Sequence, residues 1–150
     1  MGKGLVATAT TTIHAPRARV WGALVDPEQI KQYMFGTNVV SEWRVGSPIV
    51  WRGEWKGRPY EDRGEVLRID RGERLEYSHW SPKEKEKEGA SAAEGDEATG
   101  RHNVTIELTG EGDRTRVLLS QDNNPTEDAR THSEQNWNAM LAALKKHLES

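Results

Sequence analysis

The chain contains no cysteine, which excludes a disulfide framework and every zinc site built on thiolates. It has no apolar run near the ~20 residues that a membrane-crossing helix needs. Its start, Met1-Gly2-Lys3-Gly4, does not open the apolar stretch of a signal peptide. A soluble, cytoplasmic protein without a membrane partner is therefore expected. No stripe of Lys and Arg with interleaved aromatics appears, and the formal net charge is −3, so a nucleic-acid partner is not expected either. Gly-x-Ser-x-Gly is missing, as is a Gly-rich loop opening a helix. The histidines His14, His79, His102, His132 and His147 show neither i, i+4 pairing nor His-x-His spacing. No metal, no cofactor and no catalytic set is expected from these signals. Phenylalanine is nearly absent too, with one Phe against six Trp, a bias toward large aromatics with a polar edge that suits the lining of an interior space.

What is present begins with residues 5–14, rich in Thr and β-branched side chains, which read as a strand. Two short helices follow. Val20, Trp21, Leu24 and Val25 give the apolar side of the first, with Pro16 suited to its first turn. Asp26-Pro27 restarts the chain as a second, with Asp26 as cap and Ile30, Tyr33, Met34 and Phe35 on its apolar side. Strands are then expected over 38–45, 49–55, 60–69 and 75–80. Val66-Leu67 puts apolar residues on both faces of the third of these, which implies a bulge or bend near Gly64. The charged stretch 83–100 carries no large apolar residue and reads as a long solvated loop. Strands over 102–108 and 114–121 complete a meander, in which Val104, Ile106 and Leu108 face the same way as Val117, Leu119 and Gln121.

The last element, residues 127–149 after the cap Thr126, is one amphipathic helix. Trp137, Met140, Leu141, Leu144 and Leu148 form its apolar stripe, and Glu134, Asn138, Lys145, Lys146 and Glu149 are expected on the opposite face. The whole is a single domain over residues 1–150. Its class is α+β: a curved antiparallel sheet of about seven strands wrapped around a long C-terminal helix, with two short helices after the first strand.

The run Ala15-Pro16, Val20-Trp21, Leu24, Asp26-Pro27-Glu28 and Ile30 resembles the entry segment of the START-like SRPBCC superfamily, the helix-grip proteins. Arg44-Val45-Gly46, Gly64-Glu65-Val66-Leu67, Glu73-Arg74-Leu75 and Trp137, Leu141, Leu144, Lys145 resemble the branch of the activator of heat-shock-protein-90 ATPase. Two positions depart from that pattern. Ser47 follows Gly46 where the branch often has a second Gly, and Asn136 precedes Trp137 where Gly is frequent. The second departure changes packing beside the interior.

The resemblance implies a cavity between sheet and helix holding a hydrophobic or aromatic small molecule, the expected partner. The residues expected to line it are Met34, Phe35, Trp51, Trp55, Tyr77, His79, Val104, Ile106, Val117, Leu119, Gln121, Trp137, Met140 and Leu141. His79 and Gln121 supply the polar contacts. Two alternatives accompany it. One is a co-chaperone-like module with a chaperone as partner, ranked lower because the eukaryotic co-chaperone's separate N-terminal domain is not seen in this sequence. The other is a cyclase of the polyketide type, for which the sequence offers only His79, Tyr77 and Asp62 or Arg68.

Overall fold

In the computed structural model the described residues are 5–34, 36–55, 57–80, 102–124 and 126–149, with the side chains at 55 and 58 left aside. The expectation for 83–100 lies outside them. The first strand, β1 (Leu5–Ile13), is followed by helices α1 (Arg17–Val25) and α2 (Pro27–Tyr33). Six strands come next: β2 (Asn38–Ser41), β3 (Pro48–Trp55), β4 (Arg58–Asp70), β5 (Arg74–Trp80), β6 (His102–Glu111) and β7 (Arg114–Asn124). Helix α3 (Glu127–Glu149) closes the chain. The strands form one antiparallel sheet in the order β1-β7-β6-β5-β4-β3-β2, so the seven-stranded helix-grip architecture expected from the sequence is the one observed. No helix among the described residues is long and apolar enough to cross a membrane.

Local signals act as read. Asp26 accepts from the Glu28 backbone N–H at 3.1 Å and Pro27 occupies the first turn of α2. Thr126 Oγ1 accepts from the Ala129 N–H at 3.1 Å and caps α3. The last hairpin pairs Val104 with Gln121, Ile106 with Leu119 and Leu108 with Val117, and all six are buried. Met140, Leu141, Leu144 and Leu148 of α3 are buried against that face. At about 1.5–3 kcal/mol each, these four side chains contribute an amount comparable with the whole net stability of a typical domain.

Two expectations need correction. The strand expected over 38–45 stops at Ser41, because Trp43 takes a φ of 56°, left-handed geometry that no strand tolerates. The irregularity expected near Gly64 lies instead between Val66 and Arg68, so Leu67 is the extra residue. Its flank is held by the preceding turn, where Gly46 N–H donates to Val66 C=O at 2.8 Å and Val66 N–H donates to Ser47 C=O at 3.0 Å. Gly64 serves a different purpose, since a Cβ there would lie 1.9 Å from the Ser78 carbonyl oxygen and 3.1 Å from the Trp51 ring.

On α3, Glu134, Lys145 and Glu149 do not simply face solvent. Glu134 accepts from the Thr8 N–H at 3.1 Å, Lys145 Nζ donates to the Thr12 C=O at 2.6 Å, and Glu149 accepts from the His14 N–H at 2.7 Å. β1 is an edge strand, and its outward backbone groups need partners. The helix supplies them as side chains, and Arg19 Nη1 donates to Leu148 C=O at the helix end.

Gly64→Ala, which forces a Cβ into backbone, is expected to cost about 3 kcal/mol or more in urea unfolding. Gly22→Ala in α1, with open space around the added methyl, is expected to gain about 0.5–1 kcal/mol. Lys145, and then the His14 N–H, hold the Glu149 carboxyl below the ordinary glutamate range. That contribution is complete above the range and is lost as pH falls through the lowered value. Melting curves of Glu149→Gln are thus expected to separate from the parent at neutral pH and to converge with it in acid.

Candidate functional site

The inner face of the sheet is set strand by strand. On β5, Leu75, Tyr77 and His79 point inward, opposite Ile69, Val66 and Gly64 of β4. On β3, Trp51 is paired with Asp62 and Gly53 with Tyr60. Gly53 lets the Tyr60 ring fold over it, since a Cβ there would come within 2.5 Å of the phenol oxygen. The Tyr60 hydroxyl so placed shares a 2.6 Å hydrogen bond with Thr37 Oγ1, tying β4 to the segment between α2 and β2. Above this floor runs α3, entering with Ser133 and Trp137.

Between them lies a cavity of about 680 Å³. Its apolar wall includes Met34, Trp137 and Met140, and its polar wall includes Asp62, His79, His102 and Gln121. A recess of about 100 Å³ is bounded by several of the same residues and by Trp51 and Tyr77. The Trp51 ring stands edge-on to His79, with centroids 5.0 Å apart, and tilted to Tyr77 at 5.4 Å. Burial pushes the Tyr77 phenol well above its ordinary value, so it acts as a neutral wall rather than a base.

Two polar groupings flank the space. His79 Nε2 lies 3.0 Å from Asp62 Oδ2, so in the neutral ring Nε2 carries the proton and donates to the carboxylate. The second grouping is closed on itself. The Trp137 indole N–H donates to Gln121 Oε1 at 2.5 Å, and Gln121 Nε2 donates to Asn124 Oδ1 and Ser133 Oγ, each at 3.4 Å. The Ser133 hydroxyl donates to Asn124 Oδ1 at 2.9 Å, and Asn124 Nδ2 donates to the Leu5 and Gln121 carbonyls. This network fixes the indole of Trp137, leaving its ring to face the cavity.

Of the residues expected from the sequence, Met34, Trp51, Tyr77, His79, Gln121, Trp137 and Met140 meet at these two spaces. Val104, Ile106, Val117, Leu119 and Leu141 are buried in the packed core and border neither. Phe35 and the side chain of Trp55 lie outside the described residues. Thr37, Glu54, Tyr60, His102, His132, Ser133 and Asn136 were not anticipated. Asp62 was named, but without its place beside His79. Three histidines scattered in sequence reach one cavity, yet no group of three or more His, Asp or Glu among the described residues is arranged to hold a metal ion.

Compared with known proteins, residues 14–149 match the sequence family described as Activator of Hsp90 ATPase homolog 1-like protein. The chain belongs to this family. Among solved structures, the ChR145 protein of Cytophaga hutchinsonii is 50% identical, with 97% of this chain and 94% of that chain covered and a TM-score of 0.80. The Aha1 dimer of Colwellia psychrerythraea is 18% identical over 97% of this chain and 96% of that one, with a TM-score of 0.72. DynU16, of the dynemicin biosynthetic locus, is 17% identical over 97% of this chain and 47% of its own, with a TM-score of 0.76. The last two share the fold. No functionally curated protein matches the chain.

The Gln121 network yields its own prediction. Gln121→Leu leaves the Trp137 N–H and the Asn124–Ser133 pair short of partners. It is expected to cost about 1–3 kcal/mol in urea unfolding and to shift the tryptophan emission maximum.

Proposed function

We propose that this family member binds a hydrophobic or aromatic small molecule in the cavity between the sheet and α3. The supporting observation is a space of about 680 Å³, within the usual size range of small-molecule sites, whose aromatic wall is oriented by a satisfied hydrogen-bond network. An indole locked by Gln121 is a preorganised contact surface. His79 and Asp62 add one polar fixture, which orients a ligand more than it binds it.

Family membership supports a second reading, a module that acts on a chaperone through its outer surface. A cyclase-type reaction ranks behind both. Such a reaction needs several acids and bases placed along a polyketide, and among the described lining residues His79–Asp62 is the one bonded acid–base pair.

Native mass spectrometry of protein purified from its own host, followed by tryptophan-quenching titrations with apolar aromatic compounds, tests the binding reading. A co-purifying ligand or saturable quenching is expected. Trp137→Ala is expected to weaken binding about tenfold or more, while its stability loss stays below the roughly 3–5 kcal/mol of an aromatic deletion in a filled core. No ligand, no quenching and a full core-sized stability loss would overturn the proposal. Acceleration of a chaperone's ATPase by protein that binds no aromatic compound would instead favour the second reading.

A further inference from the structure

The charges of the cavity wall are one-sided. Asp62 and the exposed Glu54 are its carboxylates, and among the described lining residues there is no Lys or Arg. Arg52 and Arg63 of the same strands are on the opposite face, where both close on Glu61. Two of the three imidazoles on the wall, His79 and His102, each spend one ring nitrogen on a bond within the protein. His79 directs Nε2 to Asp62, and His102 directs Nδ1 to the Asp122 carbonyl at 2.9 Å. In each neutral ring the bonded nitrogen carries the proton, so the remaining nitrogen is a lone pair. Hydrogen-bond donors such as the Trp137 and Gln121 N–H groups are already consumed inside the protein.

The recess concentrates this character. Trp51, Tyr60, Tyr77 and Trp137 contribute aromatic surface to a space of about 100 Å³, with Asp62 on the same wall. Aromatic faces around a carboxylate attract a cation through the ring quadrupole and the counter-charge together. They repel a carboxylate or phosphate, for which the described lining residues offer no Lys or Arg. A volume equal to about three waters' share of liquid suits a small substituted ammonium group, while the ligand's apolar body fits the larger space outside.

We propose that the recess receives the ammonium head of an aromatic amine or quaternary amine, with Asp62 as counter-ion and Trp51 and Trp137 as the principal aromatic faces. This rests on the small-molecule reading given above and specifies the ligand class for the same cavity.

Three probes of one shape separate the possibilities: benzyltrimethylammonium, its uncharged isostere neopentylbenzene, and the anion phenylacetate. Each is titrated at one pH against the intact protein, followed by tryptophan quenching and calorimetry. The ammonium probe is expected to bind about tenfold or more tightly than neopentylbenzene, and phenylacetate most weakly. In Asp62→Asn the ratio of the first two affinities is expected to fall close to one. Equal or tighter binding of neopentylbenzene or phenylacetate, or an unchanged ratio in Asp62→Asn, overturns the ammonium assignment while the cavity function stands. Failure of every probe to bind overturns both. Should Asp62→Asn not fold, the order of the three affinities in the parent protein decides alone.

Discussion

In a strand the side chains repeat every two residues, so one extra residue exchanges the faces of all that lies beyond it. Leu67 is that residue. From Asp70 to Arg68, β4 keeps the register set by its turn to β5. From Val66 to Arg63 it is displaced by one. The displacement turns Val66, Gly64, Asp62 and Tyr60 inward, and sends Glu65, Arg63 and Glu61 out. Without it the guanidinium of Arg63 and the two glutamates would stand where Asp62 and the Tyr60 ring now line the cavity. The placement of Asp62 and the Tyr60 ring inside, with Arg63 and the two glutamates outside, depends on that single insertion. The backbone bonds from Gly46 and Ser47 to Val66 hold it in place.

A second irregularity completes the site from the other side. Between β1 and β7 the register shifts near Leu5 and Ala7, and Asn123 there takes a φ of 62°, which asparagine tolerates better than most residues. Asn124 is thereby buried beside Gln121 and within reach of Ser133. One bulge thus sets which residues of β4 face the cavity and the other stands beside the Gln121 grouping, consistent with the general use of bulges to re-aim side chains.

Much of this was legible in the residues. The alternation of 104–108 against 117–121 marked the inward face of the last hairpin, and the caps Asp26 and Thr126 marked their helices. Trp137 and Met140 were readable as the part of α3 that borders an interior space. What stayed hidden has physical reasons. Val66-Leu67 signalled a bulge, but its place fixes which parity faces in, and an error of a few residues conceals that Asp62 and His79 share a face. The bonds of Glu134, Lys145 and Glu149 to β1 stayed hidden because a charged helix face is equally suited to water and to the bare backbone edge of a strand. Trp43 looked like a strand residue because nothing in its identity announces a left-handed backbone.

The topology imposes an order on synthesis. β1 and β2 are neighbours in the chain but occupy opposite edges of the sheet, and among the described residues β1 pairs with β7 alone. β1 is therefore made well before its partner β7, and the helix that shields its other edge is made later still. Closing so long a loop is slow, and an unpaired apolar strand waiting that long invites association with other chains. Thr8, Thr10, Thr11 and Thr12 answer this requirement. Their β-branched backbones favour the extended form, and their hydroxyls keep the waiting segment compatible with water.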